Sequence, residues 1–279
     1  MKTPEQLKGA IRNMSVSKNL RPQEVLQMFL FERILERIAV SQFSSNFILK
    51  GGLLISSIIG ISERTTMDMD TTVCGLPMEE EQLIGIIHKI LTIDVDDGIQ
   101  FQFQKIESIR EDDIYNNFRI HIEARYGKIN SPMKIDITTG DEITPAAIRY
   151  DYPLLFEQKC VSIMAYTLET ILAEKYETIL HRNIGTTRAR DFYDLHILFR
   201  LRHDEIRPNI LRQAIYHTAD KRSSTDELKE WADILSDMRD EPTLHTLWSN
   251  YTRENAYASG FSFSEVMATV ENISRLLEE

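Results

Sequence analysis

The chain has little cysteine: two residues in 279, Cys74 and Cys160, far apart and without metal-ligand spacing. That excludes a disulfide framework and a zinc site built on cysteine, and it fits a reducing compartment. The seven histidines do not cluster either. No apolar run reaches the roughly 18 residues of a membrane span. The opening residues, MKTPEQLKGAIRNMS, lack the apolar core of a signal peptide. A soluble, cytoplasmic protein with no membrane association is therefore expected. Repeats and low-complexity linkers are missing too. Positive charge is short: the formal net charge of −11 argues against general nucleic-acid binding, which draws on Lys and Arg to neutralise phosphates. The shortage is uneven. Residues 1 to 50 carry eight Lys/Arg against four Glu, which puts this segment at +4 and the remainder at −15. A basic N-terminal face suits a nucleic acid or an acidic partner, and equally a solvated helix surface.

What is present is ample core, with 42% hydrophobic residues in a length that suits two modest domains or one large one. PQEVLQMFLFERILERIA, residues 22 to 39, places Leu26, Phe29, Leu30, Arg33, Ile34 and Arg37 at helical spacing behind Pro22. A short strand is predicted at NFILK, a helix at LLISSII after Gly51-Gly52, a strand at TMDMDTTV and a helix at PMEEEQLIGIIHKIL. Clean alternation then predicts strands at 99–106, 118–126 and 133–139, the last with Lys134, Asp136 and Thr138 on one face. Such alternation suits a sheet with one polar face. From about residue 161 the pattern is helical only, at 167–182, 188–201, 206–218, 224–238 and twice more. The chain divides into an α/β half and a helical half near residues 150 to 160, and a cleft between halves is the default place for a ligand.

Two carboxylates one residue apart carry the first chemical signal. In a strand Thr66, Asp68 and Asp70 share a face, and like charges about 7 Å apart repel unless a cation lies between them. Asp136, on the polar face of another strand, could join them. Three carboxylates on adjacent strands offer the hard oxygens that Mg²⁺ prefers, for an in-line phosphoryl or nucleotidyl transfer. The Gly51-Gly52 turn opens a helix whose backbone N–H groups suit phosphate. The plain alternative is a pair of solvated acids and an ordinary turn. In TLETILAEKYETILHR, Lys175 falls on the apolar stripe with Leu168, Ile171, Leu172 and Ile179, so it either snorkels to water or reaches an anion. In RARDFYDLHILF, Asp191 and Asp194 share a face with Leu195 and Leu198, and buried carboxylates need a partner. Between these segments, HRNIGTTRAR holds Arg182, Arg188 and Arg190 with no acid, which suits a triphosphate, an RNA backbone or a solvated connector.

LKGGLLISSIIG, then ERTTMDMDTTV, MKIDI, TLETILAEKYETIL and RARDFYDLHILF together resemble the AbiEii/AbiGii toxin family of the nucleotidyltransferase superfamily, found in toxin–antitoxin and phage-defence (abortive-infection) pairs. The resemblance covers residues 48 to about 200. It implies an α+β fold: a nucleotidyltransferase-like mixed sheet with flanking helices over residues 1–155, followed by a helical bundle domain over 156–279. It implies Asp68, Asp70 and Asp136 as ligands of Mg²⁺. It implies Lys50, Gly51, Gly52, Arg64, Thr66 and Arg188 around a bound NTP, Lys175 on its phosphates, and Asp191 or Asp194 completing the catalytic set. The implied activity is nucleotide transfer from an NTP to an acceptor, with the tRNA 3′ end the leading candidate, held in check by a cognate antitoxin. The alternatives are a binding module of the same fold without turnover, or a transferase acting on a protein or small-molecule hydroxyl. One position departs from the family pattern: Leu53 follows the glycines where a Ser or Thr is usual, and the next hydroxyl is Ser56.

Overall fold

The computed structural model describes residues 3–77, 79–109 and 117–278. Lys2 of the basic segment and Met78 of the PMEEEQ segment lie outside the described residues. By internal contacts the chain forms two compact units, Met1–Gly140 with Ala147–Ala165, and Asp141–Ala146 with Tyr166–Glu279. The expected boundary at residue 155 falls before a strand that the first unit retains.

The first unit begins with α1 (Pro4–Lys18) and α2 (Pro22–Val40), each started by a proline that needs no hydrogen-bond partner there. Then come β1 (Phe47–Lys50), α3 (Gly51–Ile59), β2 (Met69–Val73), α4 (Glu80–Leu91), β3 (Gln100–Ser108), β4 (Phe118–Tyr126), β5 (Ile129–Thr139), β6 (Ile148–Pro153) and β7 (Cys160–Ala165). The seven strands form one mixed sheet in the order β3-β4-β5-β2-β1-β7-β6. β6 and β7 are additions to the sequence-based expectation; they alternate too briefly to stand out. β2 is shorter than predicted, so Thr66, Met67 and Asp68 precede the strand. Strands β4 and β5 alternate as expected: Ile120, Ile122, Met133, Ile135 and Ile137 are buried while Arg119, His121, Lys134 and Asp136 occupy the other face.

α2 is buried on nearly every side, and with it two of the eight N-terminal cations. Arg33 pairs with Glu36 at 2.9 Å and Glu157 at 3.3 Å; Arg37 forms a two-pronged bond to Asp97. Neither is available to a nucleic acid. Glu32, also on α2, is fully buried, and its Oε1 accepts the Leu155 backbone N–H at 2.8 Å. Burial pushes its carboxyl up from 4.5 to about 8. A carboxyl raised on folding holds a proton that the unfolded chain has already released, so stability is fullest below pH 4.5 and falls as pH rises towards 8. Glu32→Gln is expected to remove this slope. Urea midpoints between about pH 5 and 9 should show the wild type losing on the order of 3–5 kcal/mol relative to the variant. A difference that stays constant across the range would show that Glu32 does not titrate there.

The second unit is helical: α5 (Leu168–Arg182), α6 (Ala189–Leu201), α7 (Pro208–Lys221), α8 (Thr225–Lys229), α9 (Trp231–Asp240), α10 (Pro242–Glu254) and α11 (Phe263–Arg275). The single helix expected at 224–238 is two, α8 and α9. α5 is capped by Thr167, whose Oγ1 accepts the Thr170 N–H. Its buried acids are all held: Glu169 by Arg207, and Glu177 by Arg222 and Ser224. Both cysteines are exposed and neither forms a disulfide, and among the described residues no helix is long and apolar enough to cross a membrane.

Candidate active site

In the first unit, backbone pairing rather than sequence proximity assembles the acids. β2 runs parallel to β5 with Asp70 beside Asp136, and antiparallel to β1 with Lys50 beside Asp70. β4 places Arg119 beside Asp136, and β3 places Glu107 beside Arg119. One row of charges thus crosses five strands: Glu107, Arg119, Asp136, Asp70 and Lys50.

Gly51, at the start of α3, lies directly against Asp70. Its φ of +64° belongs to the left-handed region, and a Cβ there would overlap the Asp70 carboxylate, 2.7 Å from Cγ and 2.8 Å from Cβ. At Gly52 a Cβ would meet Thr66 Oγ1 at 2.9 Å and Arg64 Nη2 at 3.0 Å. The positive end of α3 and the buried Arg64 guanidinium therefore adjoin, an arrangement that favours an anion. Thr66 Oγ1 donates to the Asp68 carbonyl at 3.0 Å and accepts the Asp68 N–H at 3.3 Å. This turn, rather than a shared strand face, fixes where Asp68 emerges. Lys50, Gly51, Gly52, Arg64, Thr66, Asp68, Asp70 and Asp136 are all in this unit.

Leu53 is fully buried, and the Ser56 hydroxyl donates to the Gly52 carbonyl at 2.8 Å. Ser56 is thus turned back onto its own helix and does not stand in for the usual hydroxyl. Any anion at this turn must rely on backbone N–H groups and neighbouring cations.

Sequence reasoning missed Arg119. Its Nε and Nη2 each donate to one oxygen of Asp136 at 2.7 Å. That bond, reinforced by the negative charges of Asp136, Asp68 and Asp70, pushes the guanidinium well above its ordinary value. Alternation put Arg119 on the polar face; only strand register put it beside Asp136. Among the described residues no three His, Cys, Asp or Glu side chains converge closely enough to hold a metal ion. Mg²⁺ does not need such a cage, since it keeps several waters and takes one or two carboxylates plus substrate phosphates. Asp68, Asp70 and Asp136 offer the carboxylate oxygens it takes, and both oxygens of Asp136 also accept from Arg119.

In the second unit Lys175 points inward and meets both acids, Asp191 Oδ1 at 2.5 Å and Asp194 Oδ2 at 3.2 Å. Arg188 Nε lies 2.6 Å from Asp191 Oδ2. Both aspartates are buried, and both bond to Lys175 in one ion cluster. Arg182 and Arg190 are exposed.

A model of the family described as nucleotidyl transferase AbiEii toxin, Type IV TA system, matches residues 33–265. Among solved structures, JHP933 from Helicobacter pylori is similar at 17% identity and a TM-score of 0.52, with 93% of this chain and 95% of that chain covered. A structure of a candidate nucleotidyltransferase from H. pylori is similar at 16% identity and a TM-score of 0.52, with 93% and 98% covered. At these identities the likeness is one of fold. No curated protein matches. The family match takes in the glycine turn, the acids of β2 and β5 and the Lys175 cluster together, and the chain belongs to the AbiEii nucleotidyltransferase toxin family.

Proposed function

We propose that this chain is a cytoplasmic toxin of a toxin–antitoxin pair that transfers a nucleotide from an NTP to the 3′ end of tRNA with Mg²⁺, blocking translation until a cognate antitoxin restrains it. The observation that carries the reading is Asp70 seated against Gly51 at the start of α3, in one row with Asp136. A phosphate-binding helix terminus and a carboxylate pair at the same spot are what nucleotidyl transfer requires. In the reaction the acceptor hydroxyl oxygen bonds to the α-phosphorus of the NTP, the bond to the β-phosphate oxygen breaks, and pyrophosphate leaves with its electron pair. The hydroxyl proton passes to a carboxylate of the cluster and on to solvent.

Asp68 and Asp70 would hold Mg²⁺, which when bound neutralises charge developing on the phosphates. The backbone N–H groups of Gly51 and Gly52, with Lys50, Arg64 and Thr66, would orient the triphosphate. Within the second unit Lys175 is bonded to Asp191 and Asp194, and Arg188 to Asp191. Leu53, with Ser56 bonded to its own helix, favours a second reading in which the fold binds nucleotide or antitoxin without turnover.

The test is incubation of the purified protein with total tRNA, Mg²⁺ and each labelled NTP in turn. The wild type should label tRNA, and Asp70→Ala should lower the rate at least about a hundredfold while remaining folded. Lys175→Ala would take a cation from the buried Asp191 and Asp194, so Asp70→Ala is the cleaner variant. Equal labelling by wild type and Asp70→Ala would refute the assignment. NTP bound but never consumed would support the binding module.

A further inference from the structure

Beyond Asp68, on the side of β2 away from Gly51, a cavity of about 540 Å³ opens over the polar face of β3, β4 and β5. Asp68 and Met67 form one wall. Its floor carries a second cross-strand row, Lys105 beside His121 and His121 beside Lys134. Lys105 and His121 both bond to Glu107, the latter at 2.8 Å. Lys134 is exposed and makes no ion pair among the described residues. Met67, 42% exposed, presents an apolar surface to this cavity.

An in-line displacement places the attacking oxygen and the leaving group on opposite sides of the phosphorus. With the triphosphate at Gly51 and Gly52 over β1, the leaving pyrophosphate lies on that flank of the aspartates. The attacking hydroxyl must then come from the other flank, where this cavity is. An RNA end approaching there needs cations for its phosphodiesters and an apolar face for its unstacked base. The lining also holds two acids: Glu123, which is bonded to Arg125, and Asp68, assigned above to Mg²⁺; with Lys105 paired to Glu107, Lys134 is the cation open to a phosphate.

We propose that this cavity is the acceptor subsite, taking the terminal nucleotides of an RNA 3′ end, with Lys134 and His121 on a phosphodiester and Met67 against a base. The inference rests on the reading of the chain as a nucleotidyltransferase that uses an RNA acceptor. Lys134 is the residue to vary, since it is exposed and its replacement leaves no buried partner.

The experiment has two arms. In the first, label transfer is followed against tRNA and NTP concentration for the wild type, Lys134→Glu and Lys134→Arg. Lys134→Glu should raise KM for tRNA about tenfold or more while KM for NTP stays within about twofold, and Lys134→Arg should restore it. In the second, fluorescence anisotropy follows a fluorescein-labelled single-stranded oligoribonucleotide ending in CCA, without NTP. Lys134→Glu should weaken binding and reduce the slope of log affinity against log salt by about 0.7. A raised KM for NTP with an unchanged KM for tRNA would assign the cavity to the donor and overturn the proposal. If the wild type labels no RNA, the RNA-transferase reading fails and the cavity is judged by the second arm. Oligonucleotide binding that Lys134→Glu removes keeps it as an RNA subsite; no binding, or binding left unchanged, overturns it.

Discussion

Gly51→Ala is expected to cost about 2–4 kcal/mol of stability and to lower nucleotide transfer by at least about a hundredfold. Alanine at a φ of +64° is strained, and its Cβ would also occupy the space now filled by the Asp70 carboxylate. Either Asp70 turns away or α3 shifts, and both separate the acid from the helix terminus that it adjoins. Gly60, at the other end of α3, is a built-in control. Its φ is +97°, yet nothing lies within 4 Å of a Cβ placed there. Gly60→Ala should therefore carry the backbone strain alone and leave transfer near wild type. Urea unfolding and label transfer measured on both variants separate strain from the collision with Asp70. Wild-type activity in Gly51→Ala would show that Asp70 is not held where the chemistry needs it.

The second large effect is structural. Arg37→Leu is expected to destabilise the first unit by about 3–5 kcal/mol, because it strips the cation from a buried pair. Arg37 is 2% exposed and donates to both oxygens of Asp97 at 2.7 and 2.9 Å, to the Ile99 carbonyl at 2.9 Å and to the Arg33 carbonyl at 2.9 Å. Its guanidinium also lies over Phe101, 4.8 Å from the ring centre. Leucine fills part of the volume but leaves Asp97 with only the Ile99 N–H and takes the guanidinium donors from the Ile99 and Arg33 carbonyls. The double variant Arg37→Leu/Asp97→Leu should recover much of the loss, since replacing both partners removes the uncompensated charge. Urea midpoints of the two variants decide it. A loss within about 0.5 kcal/mol for Arg37→Leu would make the pair no more than a surface contact.

Arg37 also shows where sequence reading reaches its limit. Helical spacing placed it with Phe29 and Ile34, which is the stripe it occupies, yet its charge counted towards a basic face that the fold removes by pairing it with Asp97, 60 residues away. Lys175 is the converse case. Its position among leucines and isoleucines required either solvent or an anion, and RARDFYDLH supplied two buried acids at the spacing of one helix face. Both halves of that cluster were legible because each lies within a single helix; their meeting was not, because no periodicity links one helix to the next.

The same distinction holds for the candidate site. From the sequence alone came the glycine turn, the paired aspartates, the polar faces of β4 and β5 and the family that these motifs mark. Alternation and composition act over a few residues, and a few residues are enough to say which face a side chain takes. Tertiary structure decided which neighbours share that face: Asp70 beside Asp136, Arg119 on both oxygens of Asp136, and Gly51 pressed against Asp70. Strand register and helix entry are set by the packing of segments distant in the chain, so the charges that face one another across β1 to β5 appear only when the sheet is built.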